Sequence, residues 1–105
     1  MRFIIHAEVP VEVGNRLEKE GDPFQKLGPI LERFKPEAVY FGMARRELFL
    51  AVNVNEAMEL GELAVTIAHV LGSYPTVHPV LSIADIQGIE PQQMQIMMQR
   101  VAALS

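Results

Sequence analysis

The chain has 105 residues and a mass of 11.7 kDa, enough to bury one core but not two. Its net charge is −4 and it has no basic run, which argues against nucleic acid or an anionic membrane as partner. It has no Cys, which excludes a disulfide framework and a thiolate metal site. Half the residues are hydrophobic and the mean hydropathy is +0.17, an oily balance that leaves apolar surface for a partner. The longest strongly apolar stretch, Leu63 to Gly72, is interrupted by His69 and is too short to span a bilayer. The opening MRFIIHAEVP lacks the apolar core and small-residue cleavage site of a secretory signal, so a cytoplasmic location is expected.

Arg2 to Val9 alternates as a half-buried strand, with Phe3, Ile5, Ala7 and Val9 on one face and Arg2, Ile4, His6 and Glu8 on the other. Pro10 closes it. Val11 to Lys35 is helical but broken. Asp22-Pro23-Phe24-Gln25 has the pattern of a helix start. Phe24, Leu27, Ile30, Leu31 and Phe34 share a face, and Gly28-Pro29 predicts a kink or a restart within that run. PEAVYFGMARRELFLAVNV, Pro36 to Val54, reads as two strands around a turn between Ala44 and Glu47. Val39, Phe41, Met43, Leu48, Leu50, Val52 and Val54 form its oily face at period 2. Asn55 is the expected cap of a second helix with an apolar stripe of Leu60, Leu63, Ala64, Ile67, Val70 and Leu71. Gly72 ends that helix and Pro75 prevents its resumption. Thr76 to Ile86 reads as a fourth strand with Val77, Leu81 and Ile83 facing the core, and Pro79 makes it an edge strand. A last helix opens at Pro91, with Met94, Met97, Met98, Val101 and Leu104 as its apolar side.

The expected fold class is therefore α+β: a ferredoxin-like βαββαβ domain over residues 1–88 with a C-terminal helix extension over 89–105. Its four-stranded antiparallel sheet has the order 4-1-3-2, with both helices on one face. The other face carries Ile4, Tyr40, Phe49 and Val80 beside His6, Glu8, Asn53 and His78. Burying each of the four large apolar groups would contribute roughly 1.5–3 kcal/mol, and charges are too sparse for a wet surface. A second layer is expected there, and a sheet-to-sheet homodimer is the simplest one.

On these residues the chain resembles the dimeric α/β-barrel superfamily, in which two ferredoxin-like subunits press their sheets together. PEAVYFGMARRELFLAVNVNEA and TVHPVLSIADI are similar to segments of small uncharacterised bacterial members. The superfamily includes monooxygenases, isomerases, chlorite dismutase relatives and stress-response proteins, so the resemblance implies fold and dimer rather than a reaction.

The candidate ligand-binding residues are His6, Glu8, Tyr40, Asn53 and His78, which strand parity places on the helix-free face, lining one cavity under its cover. Glu8 and His78 are expected to face each other across strands, so that the carboxylate fixes the imidazole tautomer; a purely structural pair is the plainer alternative. His6, Glu8 and His78 offer metal-ligand types, but no HxH or HExxH spacing supports a metal site and none is expected. No glycine-rich phosphate loop or other cofactor motif is present, so no cofactor is expected. Arg45 and Arg46 read as a solubilising pair at the hairpin tip. The functional expectation is a homodimer binding a small apolar or aromatic ligand between its sheet faces. The alternative is a cofactor-independent enzyme, isomerase- or monooxygenase-like, using His, Glu or Tyr as acid or base in the same cavity.

Overall fold

The computed structural model describes residues 1–21 and 23–104, apart from the side chains of Pro23 and Phe24. The expected cap at Asp22 and the packing of Phe24 lie outside the described residues. In chain order the elements are β1 (Arg2–Glu8), α1 (Val11–Glu20), α2 (Pro23–Phe34), β2 (Ala38–Phe41), β3 (Glu47–Asn53), α3 (Ala57–Leu71), β4 (Thr76–Val80), α4 (Ile83–Gln87) and α5 (Pro91–Leu104). The fold is α+β, with one four-stranded open antiparallel sheet and five helices among the described residues. The strand order is β2-β3-β1-β4, which counted from the other edge is 4-1-3-2. β1 and β3 are thus central.

Alternation decides the sheet's two faces. Ile5, Ala7, Leu48, Leu50 and Val52 are buried under the helices, where they meet Leu17 of α1, Leu27, Ile30 and Phe34 of α2, and Leu63, Ile67 and Leu71 of α3. Phe3, Val39 and Val77 pack at the margin of this core. α3 supplies the most continuous stripe and ends where Gly72 enters the left-handed region at φ 82°, its N–H donating to the Ala68 carbonyl. Lys35 ends α2 in the same way at φ 45°, donating to the Leu31 carbonyl 2.9 Å away.

Several local expectations are corrected. The chain breaks between Glu20 and Pro23, not at Pro29, which sits inside α2. Gly21, at φ 131°, is a glycine conformation that stops α1 before α2 begins. The α3 cap position is Glu56, one residue past Asn55, and no side chain bonds there. The fourth strand stops at Val80 because Ser82 and Asp85 form a reciprocal capping box: Ser82 N–H donates to Asp85 Oδ2 at 2.9 Å, and Asp85 N–H donates to Ser82 Oγ at 3.0 Å. That box starts α4 and takes Leu81 and Ile83 off the sheet, leaving them 63% and 75% exposed. Phe41 and Met43 also leave the core. β2 ends at Phe41, and the helices stop short of this corner, leaving Phe41 half-exposed and Met43 fully exposed.

α5 stands apart. Every one of its residues is exposed, and the Cα radius of gyration is 17.5 Å, against about 13 Å for a compact domain of this length. No helix among the described residues is long and apolar enough to cross a membrane.

Candidate functional site

The register across the sheet fixes which side chains share the helix-free face. Tyr40 of β2 pairs with Phe49 of β3, Phe49 with His6 of β1, and His6 with Thr76 of β4. One step along, Ala38, Ala51, Ile4 and His78 form the next row. Beyond it Asn53, Arg2 and Val80 align. In the opposite direction Glu8 faces Glu47. Because Ile5, Leu48, Leu50 and Val52 define the covered side, these alternate residues all point the other way.

His6 is the centre of the arrangement. Its ring stacks on Phe49 with centroids 4.5 Å apart and planes inclined by 12°. Its Nε2 lies 2.7 Å from Glu47 Oε2, a contact in which the imidazole N–H donates to the carboxylate. Both partners are only about a quarter exposed, at 24% and 20%, so this pair is better shielded than the other ion pairs of the surface. The imidazole is held by a ring on one side and an acceptor on the other. Tyr40 stands at the end of the same row, 66% exposed.

Of the five residues expected to converge, His6, Glu8 and Tyr40 lie on or next to the central row. His78 is diagonal to His6, opposite Ile4, and does not meet Glu8. The expected Glu8–His78 pair is thus corrected: the β1–β4 register ends at His6 and Thr76, so Glu8 runs past β4. Asn53 is four residues from Phe49 along β3, about 13 Å at strand spacing. Its Oδ1 accepts from the Met1 nitrogen at 3.2 Å, and it borders a separate cleft of about 450 Å³ with Arg2, Val80 and Asp85. The Arg2 guanidinium meets Asp85 in that cleft and reaches Glu37 at 2.9 Å beside it. Hydrogen bonding from Arg2 holds the Glu37 carboxyl below the ordinary carboxylate range. For Asp85 the first cause of the same downward shift is the Ser82 backbone N–H, with Arg2 adding to it.

Glu47, the carboxylate that meets His6, escapes the sequence reading because the turn from Ala44 to Glu47 absorbs it. The signal was available: the odd-numbered parity of Asn53, Ala51 and Phe49 extends to Glu47. The hairpin tip also divides its two arginines. Arg45 stays 75% exposed, 3.8 Å from Glu8. Arg46 folds back over α1, donating to the Val11 carbonyl, to Asn15 Oδ1 at 3.0 Å and to Glu18 at 2.9 Å. Gly14 makes room for it, since a Cβ there would lie 2.5 Å from Arg46 Nη1. Under that arm, on the helix side of the sheet, is a largely apolar cavity of about 410 Å³ walled by Val9, Leu17, Leu27, Phe41, Leu48 and Leu71. It is where the helices fail to cover Phe41. No local sequence pattern marks it, since its walls come from five elements and one loop.

The chain matches no protein-family model, and no curated protein matches it.

Proposed function

We propose that the protein is a homodimer that binds a small apolar or aromatic ligand between helix-free sheet faces, as in a ferredoxin-like dimeric α/β barrel. The observation that carries this reading is the bare face itself. Tyr40 is 66% exposed and Ile4, Phe49 and Val80 are only partly covered, on a face that also holds a stacked and hydrogen-bonded imidazole. Apolar walls with one fixed polar group are the makeup of a ligand pocket once a second layer closes it. A second copy brings the same surface and closes it with twofold symmetry. α5 supports the same assembly, because Met94, Ile96, Met97, Met98, Val101 and Leu104 are exposed on a helix that covers none of its own core.

The test is native mass spectrometry of the purified chain, with and without an aromatic probe such as anilinonaphthalene sulfonate. The expected species is a dimer that carries the probe, with both dimer and probe lost in Phe49→Glu, which would place a charge in the closed layer. A monomer at micromolar concentration contradicts the reading. So does probe binding that Phe49→Glu leaves unchanged.

An acid–base role for the same site has one specific observation behind it. The 2.7 Å contact to Glu47 and the Phe49 stack fix the His6 ring, as a general base requires. A reaction at this site would lose turnover in His6→Ala while retaining ligand binding.

A further inference from the structure

The Glu8–Glu47 pair is unusual for a sheet. Two carboxylates directly opposite each other on β1 and β3 repel, and such like-charge cross-strand pairs destabilise a ladder. Arg45 approaches Glu8 only to 3.8 Å and is itself largely exposed, so it offsets little of that repulsion. His6 completes the group. One ligand atom from each of His6, Glu8 and Glu47 lies within 4.8 Å of the other two.

We propose that His6, Glu8 and Glu47 form a binding site for a divalent transition-metal ion, with zinc the best chemical match. One imidazole and two carboxylates are a donor set that zinc accepts, and three protein ligands leave a coordination position open to water or a ligand. Calcium would need six or more oxygens, which three side chains do not offer. The backbone does most of the positioning. His6 and Glu8 are two apart on one strand and project the same way, and the register brings Glu47 opposite Glu8 and diagonal to His6. The stack on Phe49 fixes the plane of the imidazole.

The rearrangement needed is small. Metal bonds of about 2.0–2.2 Å place neighbouring ligand atoms roughly 3 Å or a little more apart. Against the present 2.7 Å, the His6–Glu47 contact opens by roughly half an ångström. The imidazole proton on Nε2 moves to Nδ1, and the ion takes the vacated lone pair. Glu8, the most exposed of the three, swings in from its contact with Arg45. The ion then sits between two negative charges and turns a repulsive pair into a bridged one. All three ligands come from one chain, so the site does not depend on dimerisation. It deepens the ligand reading above only in where the bound molecule would find a Lewis acid. Metal binding puts the imidazole proton on Nδ1 and so removes the lone pair that His6 would use as a base.

The experiment titrates the full, tag-free chain with cobalt(II), followed by its visible absorption, and with zinc(II), followed calorimetrically. One saturable site per chain is expected. His6→Ala and Glu47→Gln should each weaken binding by at least about tenfold. Glu8→Gln should weaken it as well. His78→Ala should bind like wild type, because His78 shares the face but lies outside the cluster. Circular dichroism confirms that each variant is folded. No saturable binding in wild type would overturn the proposal, as would equal affinity across all four variants. Light scattering of the same metal-free samples reads the dimer separately, so loss of one claim leaves the other standing.

Discussion

The two faces of the sheet are made by the same strands and differ in how far each is finished. On the covered face Ile5, Leu48, Leu50 and Val52 are at most 2% exposed, and their neighbours are helix residues chosen to match. On the bare face the alternate residues of the same strands include a half-covered Phe49, an exposed Tyr40, a fixed His6 and two opposed carboxylates. Alternation alone produces both. What differs is the covering layer: the chain supplies one from α1, α2 and α3, and its remaining long helix, α5, covers nothing of its own. A face that is apolar without a cover and polar without a solvated pattern is the place to look for function. The covered face is the place to look for stability.

That contrast can be broken most forcefully at the core. Leu50→Ala should destabilise the fold by about 2–5 kcal/mol in urea unfolding, by the same amount at every protein concentration, since Leu50 is 1% exposed within a single chain. Tyr40→Ala should cost less, and its cost should grow with protein concentration, because in the proposed dimer the contacts it loses belong to a second copy. A concentration-independent loss at Tyr40 would erase the distinction between the faces.

Truncation after Gly88 sharpens the comparison from the other side. Every residue of α5 is exposed in the single chain, so its removal should leave the unfolding of dilute monomer unchanged. At high concentration it should lower the melting temperature and weaken the dimer. Unchanged melting and mass at all concentrations would remove α5 from the assembly.

The smallest expected effect is at the Arg2 cluster. The Glu37 and Asp85 carboxyls are shifted down in the folded chain, so the stability they contribute is fully present above their unfolded values of about 4. It is lost as pH falls through the lower folded values. Arg2→Met should show its small loss of stability at neutral pH, with the difference from wild type shrinking as pH falls below about 4 and as salt is added. A variant as stable as wild type at neutral pH would show that the cluster contributes nothing.

Much of this was legible in the sequence because alternation and helical stripes are local signals. Ile5, Leu50, Leu63 and Ile67 announce their faces within a few residues. What was not legible depended on competition or on distance. The Ser82–Asp85 capping box overrode a strand pattern that ran on to Ile86. The start of α2 at Pro23 was legible, while the Gly28-Pro29 signal for a restart yielded to a continuous helix. Parity correctly put His6, Glu8, Tyr40, Asn53 and His78 on one face, but parity carries no register. The β1–β4 register separated His78 from Glu8, and the β1–β3 register supplied Glu47 in its place. The cavity beneath the hairpin was invisible for a related reason. It exists because helices end before Phe41, and where a helix ends over a sheet is not written in the strand it fails to cover.

Sedimentation equilibrium of wild type beside Phe49→Glu at micromolar concentration decides whether a second copy covers the bare face. Wild type should sediment at twice 11.7 kDa and the variant at 11.7 kDa, with both chains folded. Wild type sedimenting as a monomer, or a variant that remains a dimer, would contradict it.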